Sequence, residues 1–183
     1  LPQEQLDLIE AYVASGKPIV AFRTSTHAFD YPGDDPRAEK WNAFGAEVLG
    51  APWKYHYGHD AETDATLAPG ASSHPILAGV DPEFHVRSWT YHVRDDYPPT
   101  SAQVLLLGRP VKPEEGALGD ETVNPIAWTH TSPGDGRVFM TTMGHPQDFA
   151  NDHFRRLIVN GVFWALGDDA PNRPVAKFPK FRE

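Results

Sequence analysis

Gly136-Arg137-Val138-Phe139-Met140-Thr141-Thr142-Met143-Gly144-His145-Pro146-Gln147-Asp148-Phe149 is the stretch on which the reading of the fold turns. Val138 to Thr142 is apolar and β-branched, the signature of a buried strand. It stops at Gly144-His145-Pro146. A glycine, an imidazole and a proline at a strand's carboxyl end describe a loop aimed at a crevice, and open α/β sheets bind ligands at that edge. His145 therefore marks the candidate site.

The neighbouring segments fit around this strand. Pro125 to Thr129 is a second strand, and Ser132-Pro133-Gly134-Asp135-Gly136 is a tight turn, so the two form a hairpin. Downstream, Phe154, Leu157, Ile158, Gly161, Val162 and Ala165 share one helical stripe that ends at Gly167. At the amino end Pro2 suits a helix start. Leu6, Ile9, Tyr12 and Val13 recur at helical spacing, and Gly16 closes the helix. Pro18 to Phe22 is then a short buried strand running into Arg23-Thr24-Ser25-Thr26-His27. Helix, turn and strand in that order are the unit of a parallel sheet.

Between these ends lie a loop over 30–37, a helix from Arg37 to Leu49 stopped by Gly50, and an alternating segment from Trp53 to His59. Further strands span Phe84 to Trp89 and Gln103 to Gly108, and Lys112 to Thr122 reads as a solvated loop. Trp128 and Trp164 are core by pattern. A Pro-rich tail, 168–183, packs over a surface. The expectation is one α/β domain over 1–183: a mostly parallel sheet flanked by helices, with an antiparallel extension. A parallel unit that opens on a helix lacks the strand before it, so further N-terminal strands are expected in the natural protein.

Composition excludes several classes. The 183 residues carry 25 acidic and 16 basic side chains, a formal charge of −9. That balance argues against a nucleic-acid partner, which needs clustered Lys and Arg. No apolar run approaches the ~20 residues of a membrane span. With no cysteine, disulfides, thiolate metal sites and Cys nucleophiles are all removed, and the compartment stays open.

Asn124-Pro125-Ile126-Ala127-Trp128-Thr129, Gly136-Arg137-Val138-Phe139, Thr142-Met143-Gly144-His145 and Phe154 through Gly167 together resemble the trehalose-utilisation (ThuA-like) family. Tyr12-Val13-Ala14-Ser15-Gly16-Lys17 and His74-Pro75-Ile76-Leu77-Ala78-Gly79-Val80 are similar to the same family, in the same order. The resemblance implies a flavodoxin-like sheet related to the class I glutamine amidotransferases, a link to sugar metabolism, and a missing first third. An amidotransferase needs a Cys on the sharp turn after a strand, activated by a carboxylate-oriented His. Here the turn after Phe22 presents Arg23-Thr24-Ser25, so glutamine hydrolysis of that type is excluded. His145-Pro146-Gln147-Asp148 is similar to the His-Pro-Glu stretch that carries the amidotransferase base.

The candidate catalytic residues are His145, His27, Asp148 and Arg23. If the two strands are parallel neighbours, His27 and His145 face one crevice, as bases near neutral pH or as ligands. Asp148 is a ligand or orients the imidazole. Arg23, directly after a buried strand, must find a substrate oxygen or a structural carboxylate. His27, His56 and His145 form a candidate shell for zinc or a similar divalent metal. His56 and His59 can share a metal only if Gly58 breaks their strand.

Ser25 and Tyr57 are the candidate substrate contacts. Ser25 lacks a Gly-x-Ser-x-Gly elbow, so a turn or capping role competes. Trp53, Tyr55 and Tyr57 would share one strand face, as a sugar platform or as core. His85, His92, His130 and His153 carry no functional assignment. The expected function is His-based acid–base chemistry on a sugar or keto-sugar, with metal assistance. The alternative is a non-catalytic ligand-binding or assembly subunit, either a homo-oligomer or a partner of the missing N-terminal segment.

Overall fold

The computed structural model describes residues 1–93, 96–172 and 175. α1 spans Gln3–Ala14 and leads through Gly16 into β1, Ile19–Phe22. A 3₁₀ turn, Arg23–His27, follows at once. Then come α2 (Ala38–Trp41), α3 (Phe44–Glu47), β2 (Trp53–His56) and β3 (Glu62–Leu67). They are followed by β4 (Glu83–Val86), β5 (Tyr91–Val93), β6 (Gln103–Lys112) and β7 (Gly116–Ala117). β8 (Asn124–Thr131), β9 (Arg137–Thr141) and α4 (Asp152–Leu166) complete the set.

The main sheet runs β1-β9-β8-β6-β3-β4, with β7 on β6; β2 and β5 form a separate two-stranded ribbon. The α/β class and the β8–β9 hairpin agree with the sequence. β1 and β9 pair in parallel, Ile19 opposite Val138 and Phe22 opposite Thr141. The expectation of a mostly parallel sheet is corrected. Among the described residues every other strand pair is antiparallel. The apolar runs that suggest a doubly covered sheet belong to β1 and β9, and the rest is meander.

Three further boundaries differ. The helix expected over 37–49 is broken into α2 and α3; at the break the Asn42 side chain exchanges hydrogen bonds with the backbone of Tyr31. β3 and β5 arise where no strand is expected. The tail lies mostly at 173–174 and 176–183, outside the described residues; before it, Arg156 donates to the Pro171 carbonyl at 3.0 Å.

Both faces of the β1–β9 pair are covered. Val20, Phe22 and Phe139 pack with Leu105, Leu106, Phe154 and Leu157 on the α4 side. Ile19, Ala21, Val138 and Met140 pack with Val48, Leu49 and Trp128 on the other. Trp128 is fully buried, and its indole N–H donates to the Leu49 carbonyl at 2.7 Å; Trp164 is only partly buried at the first core's margin. Asn151 caps α4 by accepting from the backbone N–H of His153 and Phe154. Among the described residues no helix is long and apolar enough to cross a membrane.

Candidate functional site

Parallel pairing brings the carboxyl ends of β1 and β9 side by side, and with them the segments that carry His27 and His145. Arg23 opens the turn after β1 at φ +45°, a left-handed conformation that a non-glycine residue adopts only under constraint. After β9, Gly144 takes φ +126°. A Cβ there would press on Phe22 and Arg23, so the glycine lets the two loops approach.

The carboxyl-end loops are locked by a residue the sequence did not single out. Ser88, between β4 and β5, is buried. Its Oγ donates to Asp148 Oδ2 at 2.5 Å. It accepts from the backbone N–H of Gly144 at 2.9 Å, from that of His145 at 3.0 Å, and from Arg23 Nη1 at 3.2 Å. Asp148 is buried as well. Its carboxylate also accepts from the backbone N–H of Ser88, Gly144 and His145. Asp148 thus holds backbone rather than the imidazole ring. Arg23 finds a neutral hydroxyl, and among the described residues no carboxylate lies within ion-pair distance of it.

The two imidazoles are held differently. Thr26 Oγ1 lies 3.2 Å from both the Arg23 carbonyl oxygen and His27 Nδ1, and its one proton serves one of them at a time. His145 Nδ1 accepts from the Gln147 N–H at 3.2 Å, which places the neutral ring's proton on Nε2. Burial holds the His27 pKa below 6.5, and the neighbouring His56 lowers it further. Burial also lowers that of His145; Arg23 and Arg87 push the same way, against Asp148 and Glu62.

The ribbon β2–β5 and the segment before β5 bring aromatic rings against His27 and Arg23. His27 packs on Trp53 at 4.6 Å between centroids and lies 5.8 Å from Tyr91. The Arg23 guanidinium sits 5.5 Å from the Trp89 ring and 5.8 Å from Tyr91. His56 lies near both Trp89 and Tyr91. Gly58, at φ +123°, breaks the strand and folds His59 back to 4.7 Å from His56.

Other expected members are not brought together. A register shift between Trp53 and Tyr55 reverses the alternation of β2. Trp53 and His56 therefore lie on the same side, toward His27 and Tyr91. Tyr55 and Tyr57 instead pack on His92, and the Tyr57 hydroxyl bonds His92 Nδ1 at 2.7 Å and accepts from Asn124. Ser25 lines an apolar groove beside β1, with Phe22, Phe29 and Phe44. The three-imidazole metal shell is corrected too. Among the described residues no three His, Asp or Glu side chains are gathered as metal ligands. The His145 ring is turned to its own loop backbone, apart from the His27–His56 pair.

Residues 1–165 match the family described as trehalose utilisation. The chain belongs to the ThuA family. One solved structure, a protein from Parabacteroides merdae described as ThuA-like, superposes with a TM-score of 0.61 at 15% identity. The superposition covers 94% of this chain and 69% of that one. At that identity the likeness speaks for the fold alone. None of the curated proteins compared with the chain matches it. The ThuA match takes in every element from α1 to β9 and most of α4, so the segments that follow β1 and β9 lie wholly inside it.

Proposed function

We propose that this ThuA-family chain acts on a sugar or keto-sugar, with His27 as base and His145 as proton donor. One observation carries the reading: two imidazoles on segments that follow two neighbouring parallel strands, with a guanidinium and Trp and Tyr rings beside them. An indole or phenol face is what a sugar's C–H surface stacks on. His27 Nε2 would take a proton from a carbon or hydroxyl beside a carbonyl. The Nε2–H of His145 would donate to the oxygen on which charge develops. Arg23 would stabilise the same oxygen. Among the described residues no donor set matches a divalent metal, so no step passes through one. The parallel β1–β9 pair, with helices on both faces and the cleft beyond the strand ends, supports reading the fold as flavodoxin-like.

A second reading, a binding or assembly module, has observations of its own. The cleft rings stack closely on one another, as in His59 on Trp89 at 4.3 Å. β1 also ends the strand order, beside an apolar groove of about 350 Å³. Screening oxidised and unmodified disaccharides decides between the readings. Turnover by the wild type that falls about 10²- to 10⁴-fold in His27→Gln and in His145→Asn supports catalysis. Asparagine keeps an acceptor for the Gln147 N–H, so a fold defect is not expected. Activity untouched by either change would end the catalytic reading, and sugar binding without turnover would favour the second.

A further inference from the structure

A groove of about 620 Å³ runs between α1 and the α2–α3 pair. Ile9 and Val13 of α1 line one wall, and Trp41, Phe44 and Val48 line the other. The turn of the β8–β9 hairpin, at Pro133 and Gly134, adds a third side. Gly134 comes so near α1 that a Cβ would stand 2.0 Å from the Val13 carbonyl oxygen. The carboxyl end of α1 is thus seated on the hairpin, and the groove is preformed. Small-molecule sites occupy about 300–1,000 Å³ and set a few polar groups in a mainly apolar lining. Neither His27 nor His145 lines this groove, so nothing here depends on the sugar reading.

We infer that the groove binds a small organic cation, an ammonium group carried on an apolar body. Its charged lining is Glu10, Glu39, Glu47 and Lys40. Lys40 Nζ is already paired with Glu10 Oε2 at 2.5 Å. Among the described residues neither Glu39 nor Glu47 is ion-paired. The imidazole that feels the Glu47 charge, His130, is held below its ordinary pKa by burial and brings no compensating charge at neutral pH. Two carboxylates therefore face an apolar groove without a cation. Lys40 shows how the groove treats an ammonium: its Nζ lies 5.8 Å from the centre of the Trp41 ring while it pairs with a carboxylate. A ligand's cation would find the same two partners in an aromatic ring and a free carboxylate. A neutral body would fill the groove and leave both charges to water, and an anion would be repelled.

The experiment is isothermal titration of the full chain at pH 7.5 with three probes that share one ring system: 2-naphthylmethylammonium, 2-naphthylmethanol and 2-naphthoate. At low salt the ammonium should bind about five- to tenfold tighter than the alcohol, and the naphthoate more weakly than either. In the double variant Glu39→Gln/Glu47→Gln the preference for the ammonium should shrink to within about twofold, with the alcohol's affinity unchanged. Both glutamates are exposed, so the double variant should fold. Ala14→Trp, at an exposed lining position of α1, should block the groove and weaken ammonium and alcohol alike by about tenfold or more. Equal affinities for ammonium and alcohol overturn the inference. So does a preference that survives the double variant, binding that Ala14→Trp leaves unchanged, or binding of none of the three.

Discussion

A serine hydroxyl has one proton to give and two lone pairs to offer. Ser88 gives its proton to Asp148, and Arg23 and the N–H groups of Gly144 and His145, three donors, share its two lone pairs, the two N–H groups also being shared with Asp148. Removing it leaves a buried carboxylate and a guanidinium short of a partner. Ser88→Ala is expected to cost about 1–3 kcal/mol, measured by urea denaturation. A loss well under 0.5 kcal/mol would mean the backbone donors alone satisfy Asp148. Nothing in the sequence marks Ser88, because its partners lie 56 to 65 residues away and no motif surrounds it. That His27 and His145 lie on the segments after β1 and β9 was legible, since an apolar strand precedes each segment. A pH prediction belongs to the same scale. His27 must be neutral to accept a proton, and burial lowers its pKa from 6.5. Sugar turnover should therefore hold as pH falls to 6.5 and drop only below it. An acid limb centred above 6.5 would exclude His27 as the base.

The ribbon β2–β5 shows how one backbone irregularity changes which side chains a strand offers. Alternation over Trp53, Tyr55 and Tyr57 reads as a stripe, and the register shift cuts the stripe after its first member. No period-of-two argument can anticipate that. β3 was illegible for a different reason. Its inward residues, Thr63 and Ala65, are small or polar, so alternation of hydrophobicity carries little signal there. The outer faces of β3 and β4 hold a testable device. His85 on β4 bonds Asp64 and Glu62 on β3, both at 2.7 Å. Burial opposes its protonation, but these two carboxylates outweigh it and raise its pKa above 6.5. The protonated bridge thus contributes fully below pH 6.5 and is lost as pH rises through the elevated native value. His85 is about half exposed, so the effect is small and salt-sensitive. Denaturation midpoints of wild type against His85→Gln should converge as pH rises from 5.5 to 9. A gap that widened toward high pH would show the bridge acts uncharged.

Across the whole molecule, β9 separates two cores while belonging to both. Phe139 packs under α4, and its neighbours Val138 and Met140 pack under the α3 side. The same alternation along β1 made the parallel pair legible, because residues buried on both faces produce an uninterrupted apolar run. The antiparallel partners of β6 were not legible. Their pairing joins β3, β8 and β7 through contacts that no local pattern encodes. Shared strands also bear on how the protein unfolds. Emptying one core loosens a strand whose adjacent residues fill the other, so neither core has an independent wall. Leu157→Ala on the α4 side and Leu49→Ala on the opposite side remove side chains that are 0% and 1% exposed. Each should cost about 2–5 kcal/mol. In both variants tryptophan fluorescence, read in a background where Trp41, Trp53, Trp89 and Trp164 are Phe so that Trp128 in the second core reports alone, and far-UV circular dichroism should report one coincident urea transition. If Leu49→Ala shifted the fluorescence transition and left the dichroism midpoint in place, the cores would be unfolding separately. The sheet would then not be the common element that couples them.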